Sequence, residues 1–356
     1  MPSVFDLKAS DFLSIYKSDS LIQTLAEGIR ASRPNVLRVK GIHGSLDALI
    51  FASVCKVTRA TQVIILQDKE EAAYFFNDLQ NLLGTSGLHF FPMSYKRPYE
   101  YDETENANIL MRAEVLNQLG NAPDGKIIVT YPEALSEKVI TRKSLASNTF
   151  IVKSGEILDR EFLEEFLNTY HFEKTDFVYE AGQFAVRGGI IDVYSFAHDL
   201  PYRIELFGDE VESIRSFDPG SQLSVDHVDH VSLMPDVQTR LVQEDRQSLL
   251  EFIPATSRLW IKDFALIGDI LQKCFDRATQ SFDKIIRNSG GAAVSVSPGH
   301  LFETPETFTG QATGFQRIEF GQRFHFPADF TYDFRSSAQP SFNKNFELLV
   351  ADLLDH

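Results

Sequence analysis

The run Gly41-Ile42-His43-Gly44-Ser45-Leu46-Asp47-Ala48 lies between a strand-like segment, Val36 to Lys40, and an apolar helical stretch, Leu49 to Val54. Glycines at a strand-to-helix junction turn backbone N–H groups toward one point, as in loops that cradle nucleotide phosphates. A working loop also needs a final glycine, a lysine for the β and γ phosphates and a hydroxyl for Mg²⁺. Leu46, Asp47 and Ala48 stand in those places. A carboxylate there repels phosphate where a cation should attract it. Gly41, Gly44, Ser45 and Asp47 therefore mark a degenerate nucleotide loop, with an accidental Gly-x-x-Gly-Ser turn as the open alternative.

A second pattern lies in the middle of the chain. Alternate strand residues share a face, so Tyr202, Ile204 and Leu206 point inward while Arg203, Glu205 and Phe207 point outward. In Phe184-Ala185-Val186-Arg187 the same rule turns Arg187 outward. Exposed Phe beside Arg is the chemistry of protein-binding hot spots. The other reading is that these arginines form ordinary surface ion pairs of ~0–1 kcal/mol, with Phe207 closing the core edge. Asp226-His227 and Asp229-His230 are metal-ligand types, but they sit in a β-type segment without a second ligand cluster and read as solvated surface. No nucleophile-elbow pattern occurs, and no catalytic residue is assigned.

Charge narrows the partners. The chain has 356 residues with 34 Lys and Arg against 50 Asp and Glu, a net charge of −16. Residues 146–236 hold 6 basic and 18 acidic residues, so three quarters of the excess falls there. Such a segment repels phosphate and suits a protein partner with a basic face, unless its acids serve only solubility. DNA binding by this chain is expected to be weak and strongly salt-dependent. Cys55 and Cys274 are too few and too far apart for a disulfide framework or a zinc site. No apolar run approaches the ~20 residues of a membrane span and no signal peptide opens the chain, so a cytoplasmic location without membrane contact is expected.

Several elements must position these residues. Strand signals at Val36–Lys40, Val63–Leu66 and Ile127–Tyr131 alternate with helical spacing over Lys69–Leu83 and Ala107–Leu119, and a helix is expected from Pro132. That order predicts an α/β fold with an open parallel sheet. From Thr149 the period changes. A strand, a helix over Asp159–Tyr170 and short strands at 177–180, 184–186, 189–194, 202–207 and 210–217 follow, with Gly208-Asp209 as a two-residue hairpin turn. This predicts an inserted α+β domain with a mainly antiparallel sheet. Helices are expected at 241–252 and 267–287, a strand at 258–261, a loop over 289–314, a strand at 317–320, a linker at 336–341 and a helix from Asn345. The expected division is 1–145, 146–236, 237–338, and 339–356 as a linker leading into a further domain.

The stretches Phe184-Ala-Val-Arg187-Gly-Gly-Ile-Ile-Asp192-Val-Tyr194 and Pro201-Tyr-Arg203-Ile-Glu205-Leu-Phe207-Gly-Asp-Glu210-Val-Glu-Ser-Ile-Arg215-Ser-Phe217-Asp218 resemble the second domain shared by bacterial excinuclease B and transcription-repair coupling factors. Pro98-Tyr99-Glu100-Tyr101-Asp102 through Arg112 agrees with this, and the resemblance covers about residues 25–340. The degenerate loop, and a Met93–Asn106 segment too short for an aromatic DNA-clamping hairpin, favour the amino-terminal module of the coupling-factor family. An excinuclease B-like, ATP-dependent damage-binding repair protein is the alternative.

The resemblance implies a degenerate P-loop NTPase-like, helicase-like domain in two halves, 1–145 and 237–338. It implies no ATPase activity in this fragment, ATP and Mg²⁺ belonging to the translocase domains of the full-length protein. It further implies recruitment of the partner repair protein excinuclease A through Arg187, Arg203 and Phe207, to which strand alternation adds Glu205. RNA polymerase and double-stranded DNA would be engaged by domains absent from this chain.

Overall fold

The computed structural model describes residues 9–30, 35–94, 98–99, 106–236, 244–288, 296–337 and 345–355. Two sheets organise them. The first has seven strands in the order Phe330–Asp333, Val36–Lys40, Gln316–Phe320, Arg258–Ile261, Gln62–Ile65, Ile127–Thr130 and Leu88–Phe90. Every pairing in it is parallel. Strands from the first and last thirds of the chain interleave here, since Gln62 registers with Arg258 and Val36 with Arg317. Val63, Ile64, Ile65, Ile128 and Val129 are fully buried, the unbroken apolar run expected of a parallel sheet covered on both faces.

The helix Lys69–Leu83 shows how local chemistry sets the ends of these elements. Asp68 accepts a hydrogen bond from Glu71 N at 2.8 Å, and Gly84 ends the helix at φ +79°. Ala72, Phe75 and Leu79 form its buried stripe.

The middle sheet has six strands in the order Ser224–Val228, Glu210–Phe217, Tyr202–Phe207, Ile190–Val193, Gln183–Arg187 and Glu173–Lys174. All are antiparallel except the last pair. Its inner face packs Phe184, Ile191, Val193, Ile204, Val211 and Ile214 against Leu163 and Leu167 of the helix Arg160–Thr169. Each fully buried aliphatic side chain contributes about 1.5–3 kcal/mol. The strands Phe150–Lys153 and His230–Leu233 pair antiparallel beneath this core, Phe150 opposite Leu233. The unit's entry and exit thus lie side by side.

Some expected elements are corrected. Phe177–Glu180 is not a strand: Val178 is buried with Ala185, Tyr194 and Phe217, so the segment is a cover over the sheet's outer face. Within 241–252 only Leu249–Phe252 is helical among the described residues, and Arg246–Gln247 pairs antiparallel with Val139–Ile140. In the segment read as loop, Pro298–Leu301 and Pro305–Ala312 are helices, each opened by a proline in its first turn. Residues 289–295, Glu100–Asp102 and most of the 336–341 linker lie outside the described residues.

Candidate partner-binding site

The outer face of the middle sheet is built by register. Gly188 (φ +61°) and Gly189 make the turn between the Gln183–Arg187 and Ile190–Val193 strands, and Leu206 N bonds to Gly189 O at 2.8 Å. A Cβ on Gly189 would lie 2.8 Å from Leu206 O, so this approach requires glycine. Three rows of side chains then cross the face. Asp192, Arg203 and Arg215 are opposite one another. Arg187, Ile190, Glu205 and Ser213 form the next row. Phe207 pairs with Glu210 at the hairpin end.

Asp192 organises the first two rows. Its carboxylate is fully buried, and both arginines converge on it. Arg203 donates from Nε at 2.7 Å and from Nη2 at 2.9 Å, a two-point grip that raises the arginine's own pKa. Arg187 donates from Nη2 to the same carboxylate and from Nη1 to Asp176 O at 2.7 Å. Each guanidinium also lies over a ring, Arg203 4.7 Å from Phe217 and Arg187 5.0 Å from Phe177. Glu205 accepts from Arg215 Nη2 and from Ser213 Oγ at 2.8 Å.

The sequence places Arg187, Arg203, Glu205 and Phe207 on one face, and the structure brings them there. Their exposure differs from expectation. Phe207 is 80% exposed, whereas the Arg203 side chain is only 17% exposed. Arg203 is half sunk because its partner is a buried carboxylate, so the pair is not an ordinary surface ion pair. Sequence reasoning missed Asp192 and Arg215 as members of the site. The signal for Asp192 was an acid inside the apolar run Ile190-Ile191-Asp192-Val193, which two outward arginines should flank.

The Gly41–Ala48 turn, expected to be a degenerate nucleotide loop, is a second, smaller cluster. Gly41 (φ +69°) packs against the end of the edge strand Phe330–Asp333 and the residues after it, where a Cβ would meet Asp333 Oδ1 at 2.6 Å and Arg335 N at 2.7 Å. Gly44 (φ +58°) turns the chain into the helix Leu46–Val54, whose N-cap Ser45 makes no side-chain capping bond. Asp47 lies 3.3 Å from Lys262 Nζ, and Lys262 also bonds Glu71. Burial raises the Asp47 pKa although Lys262 opposes this. Burial would lower that of Lys262, but hydrogen bonding to Glu71 and the charge of Asp47 carry it upward overall. The cation just after the central strand Arg258–Ile261 is thus held by two carboxylates. Asp226, His227, Asp229 and His230 are exposed on strands of different sheets, or between them, and among the described residues no His, Cys, Asp and Glu group is arranged to hold a metal.

Residues 150–238 match the family model described as the UvrB interaction domain. They comprise nearly all of the unit whose outer face carries the arginine rows. Over longer stretches the chain is similar to transcription-repair-coupling factors: 32% identical over 216 residues to that of Myxococcus xanthus and 26% over 234 residues to that of Bacillus subtilis. These matches take in 59% and 66% of this chain but only 18% and 19% of the relatives, so the chain spans about a fifth of their length. UvrABC system protein B of Thermosipho africanus is 25% identical over 257 residues, 68% of this chain and 38% of that protein. The resemblance carried by the residue 184–218 motifs is borne out by these similarities.

Proposed function

We propose that this chain is an amino-terminal recruitment module of a transcription-repair coupling factor, and that it binds excinuclease A through the outer face of residues 146–236. The observation that carries this reading is the pair Arg187 and Arg203 clamped on buried Asp192 beside the exposed Phe207, on the unit matched by the UvrB interaction domain. Clamped guanidiniums lose little freedom on binding, and an exposed aromatic supplies the apolar area that hot spots need. In this reading 1–145 and 237–338 are the two halves of a degenerate NTPase-like unit, and RNA polymerase, double-stranded DNA and ATP-driven translocation belong to other parts of the protein.

Titration of purified excinuclease A against the wild type and alanine variants tests it. Phe207→Ala should cost about 1–3 kcal/mol of binding while moving stability by under ~0.5 kcal/mol, because the ring is mostly in water. Arg187→Ala and Arg203→Ala should weaken binding as well, Arg203→Ala with a lower melting temperature because it strips a buried carboxylate of one partner. Unchanged affinity for all three would place the recruitment surface elsewhere.

In the same reading the loop at Gly41–Ala48 is silent toward ATP. Isothermal titration with ATP and Mg²⁺ should show no micromolar binding. Asp47→Lys should not restore it, since the new ammonium would meet Lys262, and should lower stability by roughly 1–2 kcal/mol. A micromolar dissociation constant abolished by a change at Gly44 would favour the excinuclease B-like alternative.

A further inference from the structure

Beyond the arginine rows the sheet is extended by a segment that strand alternation alone does not bring into view. Leu158 N bonds to Asp209 O at 2.8 Å and Val211 N bonds to Glu156 O at 3.0 Å, so residues 156–158 run as an extra edge beside the start of the Glu210–Phe217 strand. Ile157 is opposite Glu210, which on its other side is opposite Phe207. Alternation fixes the direction of each. Leu158 and Val211 are buried in the inner core, so Ile157 and Glu210 turn to the outer face. Ile157 is 76% exposed, close to the exposure of Phe207. With strands about 4.8 Å apart, the two apolar residues stand roughly 10 Å from each other with the exposed Glu210 between them.

We propose that Phe207 and Ile157 form the two walls of an apolar notch that ends the partner-binding face, and that it receives one apolar side chain of the partner. This rests on the reading of the outer face as the surface for excinuclease A. Both walls lie within residues 150–238, the span matched by the UvrB interaction domain, and they continue the face on which Arg187 and Arg203 share Asp192 and Arg215 pairs with Glu205. An isolated exposed isoleucine needs no explanation. Two large apolar side chains flanking one cross-strand neighbour, continuous with three arginines, form a bounded recognition surface.

The test is a titration of excinuclease A against full-length chains carrying Ile157→Ala, Ile157→Val, Phe207→Ala and the Ile157→Ala/Phe207→Ala pair, with thermal melts alongside. Ile157→Ala should weaken binding about 5- to 30-fold without moving the melt, and Ile157→Val should stay within about threefold of wild type. The double variant should lose less than the product of the two single losses, because both walls hold one partner side chain. Loss of binding in Phe207→Ala with wild-type affinity in Ile157→Ala overturns the notch and leaves the arginine face standing. Multiplicative losses in the pair overturn the shared side chain. Wild-type affinity in Phe207→Ala as well overturns the notch, and the reading of the face on which it depends falls only if Arg187→Ala and Arg203→Ala also bind as wild type.

Discussion

Asp192→Ala is expected to lower the stability of the middle unit by about 2–4 kcal/mol and to abolish binding of excinuclease A together. The carboxylate is fully buried and answers two guanidiniums, one of them only 17% exposed. Removing one member of a buried ionic set costs more than the set contributes, because the charges left behind are poorly hydrated. Arg187 is exposed enough to turn toward water, which keeps the loss below that of a wholly buried pair. Asp192→Asn fills the same space, but its amide N–H points at donors, so a loss of about 1–2 kcal/mol is expected. Urea unfolding followed by a probe in residues 146–236, read beside the binding titration, checks both effects. A midpoint unchanged in Asp192→Ala would mean that the arginines are held by their rings and backbone partners alone.

The largest stability loss is expected at Arg112. This arginine on the helix Asn106–Asn121 is 1% exposed, and its Nη1 donates to Pro92 O at 2.8 Å and Ala134 O at 3.1 Å. Its Nη2 donates to Glu137 O at 3.1 Å and pairs with the Glu137 carboxylate at 3.5 Å. The guanidinium also lies 4.1 Å from the Phe91 ring centroid. Three chain segments meet on one cation. Arg112→Met keeps much of the volume but takes the Arg112 guanidinium from Glu137, itself 1% exposed and also bonded by Ser94 N and Oγ. About 3–5 kcal/mol should be lost. Arg112→Met with Glu137→Gln should recover part of this, since no buried charge is left unanswered. A double variant that unfolds as readily as Arg112→Met alone would show that the carbonyl contacts, not the ion pair, carry the stability.

The two sites differ in how far the sequence exposes them. Alternation in Tyr202–Phe207 assigns both faces correctly, because a half-buried antiparallel strand writes its environment into every second residue. The helix Lys69–Leu83 is legible to its ends for the same local reason, Asp68 before it and Gly84 after it. Phe177–Glu180 misleads, since a covering segment that buries Val178 uses the same residue types as a strand. Pro298 and Pro305 mislead in the opposite sense, because a proline that opens a helix looks like one that interrupts a loop. Ile157 is found only through cross-strand hydrogen bonds to residues more than fifty positions away. No local pattern encodes that.

The interleaved parallel sheet also has a consequence for how the chain is made. Among the described residues the strand Val36–Lys40 pairs only with Gln316–Phe320 and Phe330–Asp333, Val36 being opposite Arg317 about 280 positions later. At roughly 5–20 residues per second, that strand waits on the order of 15–55 s on the ribosome before either neighbour exists. Meanwhile Gln62–Ile65 has Ile127–Thr130 on one side and nothing on the other until Arg258–Ile261 emerges. The middle unit has no such delay, because its first and last strands close on each other within its own span. Synthesis therefore delivers a finished middle unit while the seven-stranded sheet is still open, which leaves the apolar strands of residues 36–65 in the nascent chain waiting for shielding.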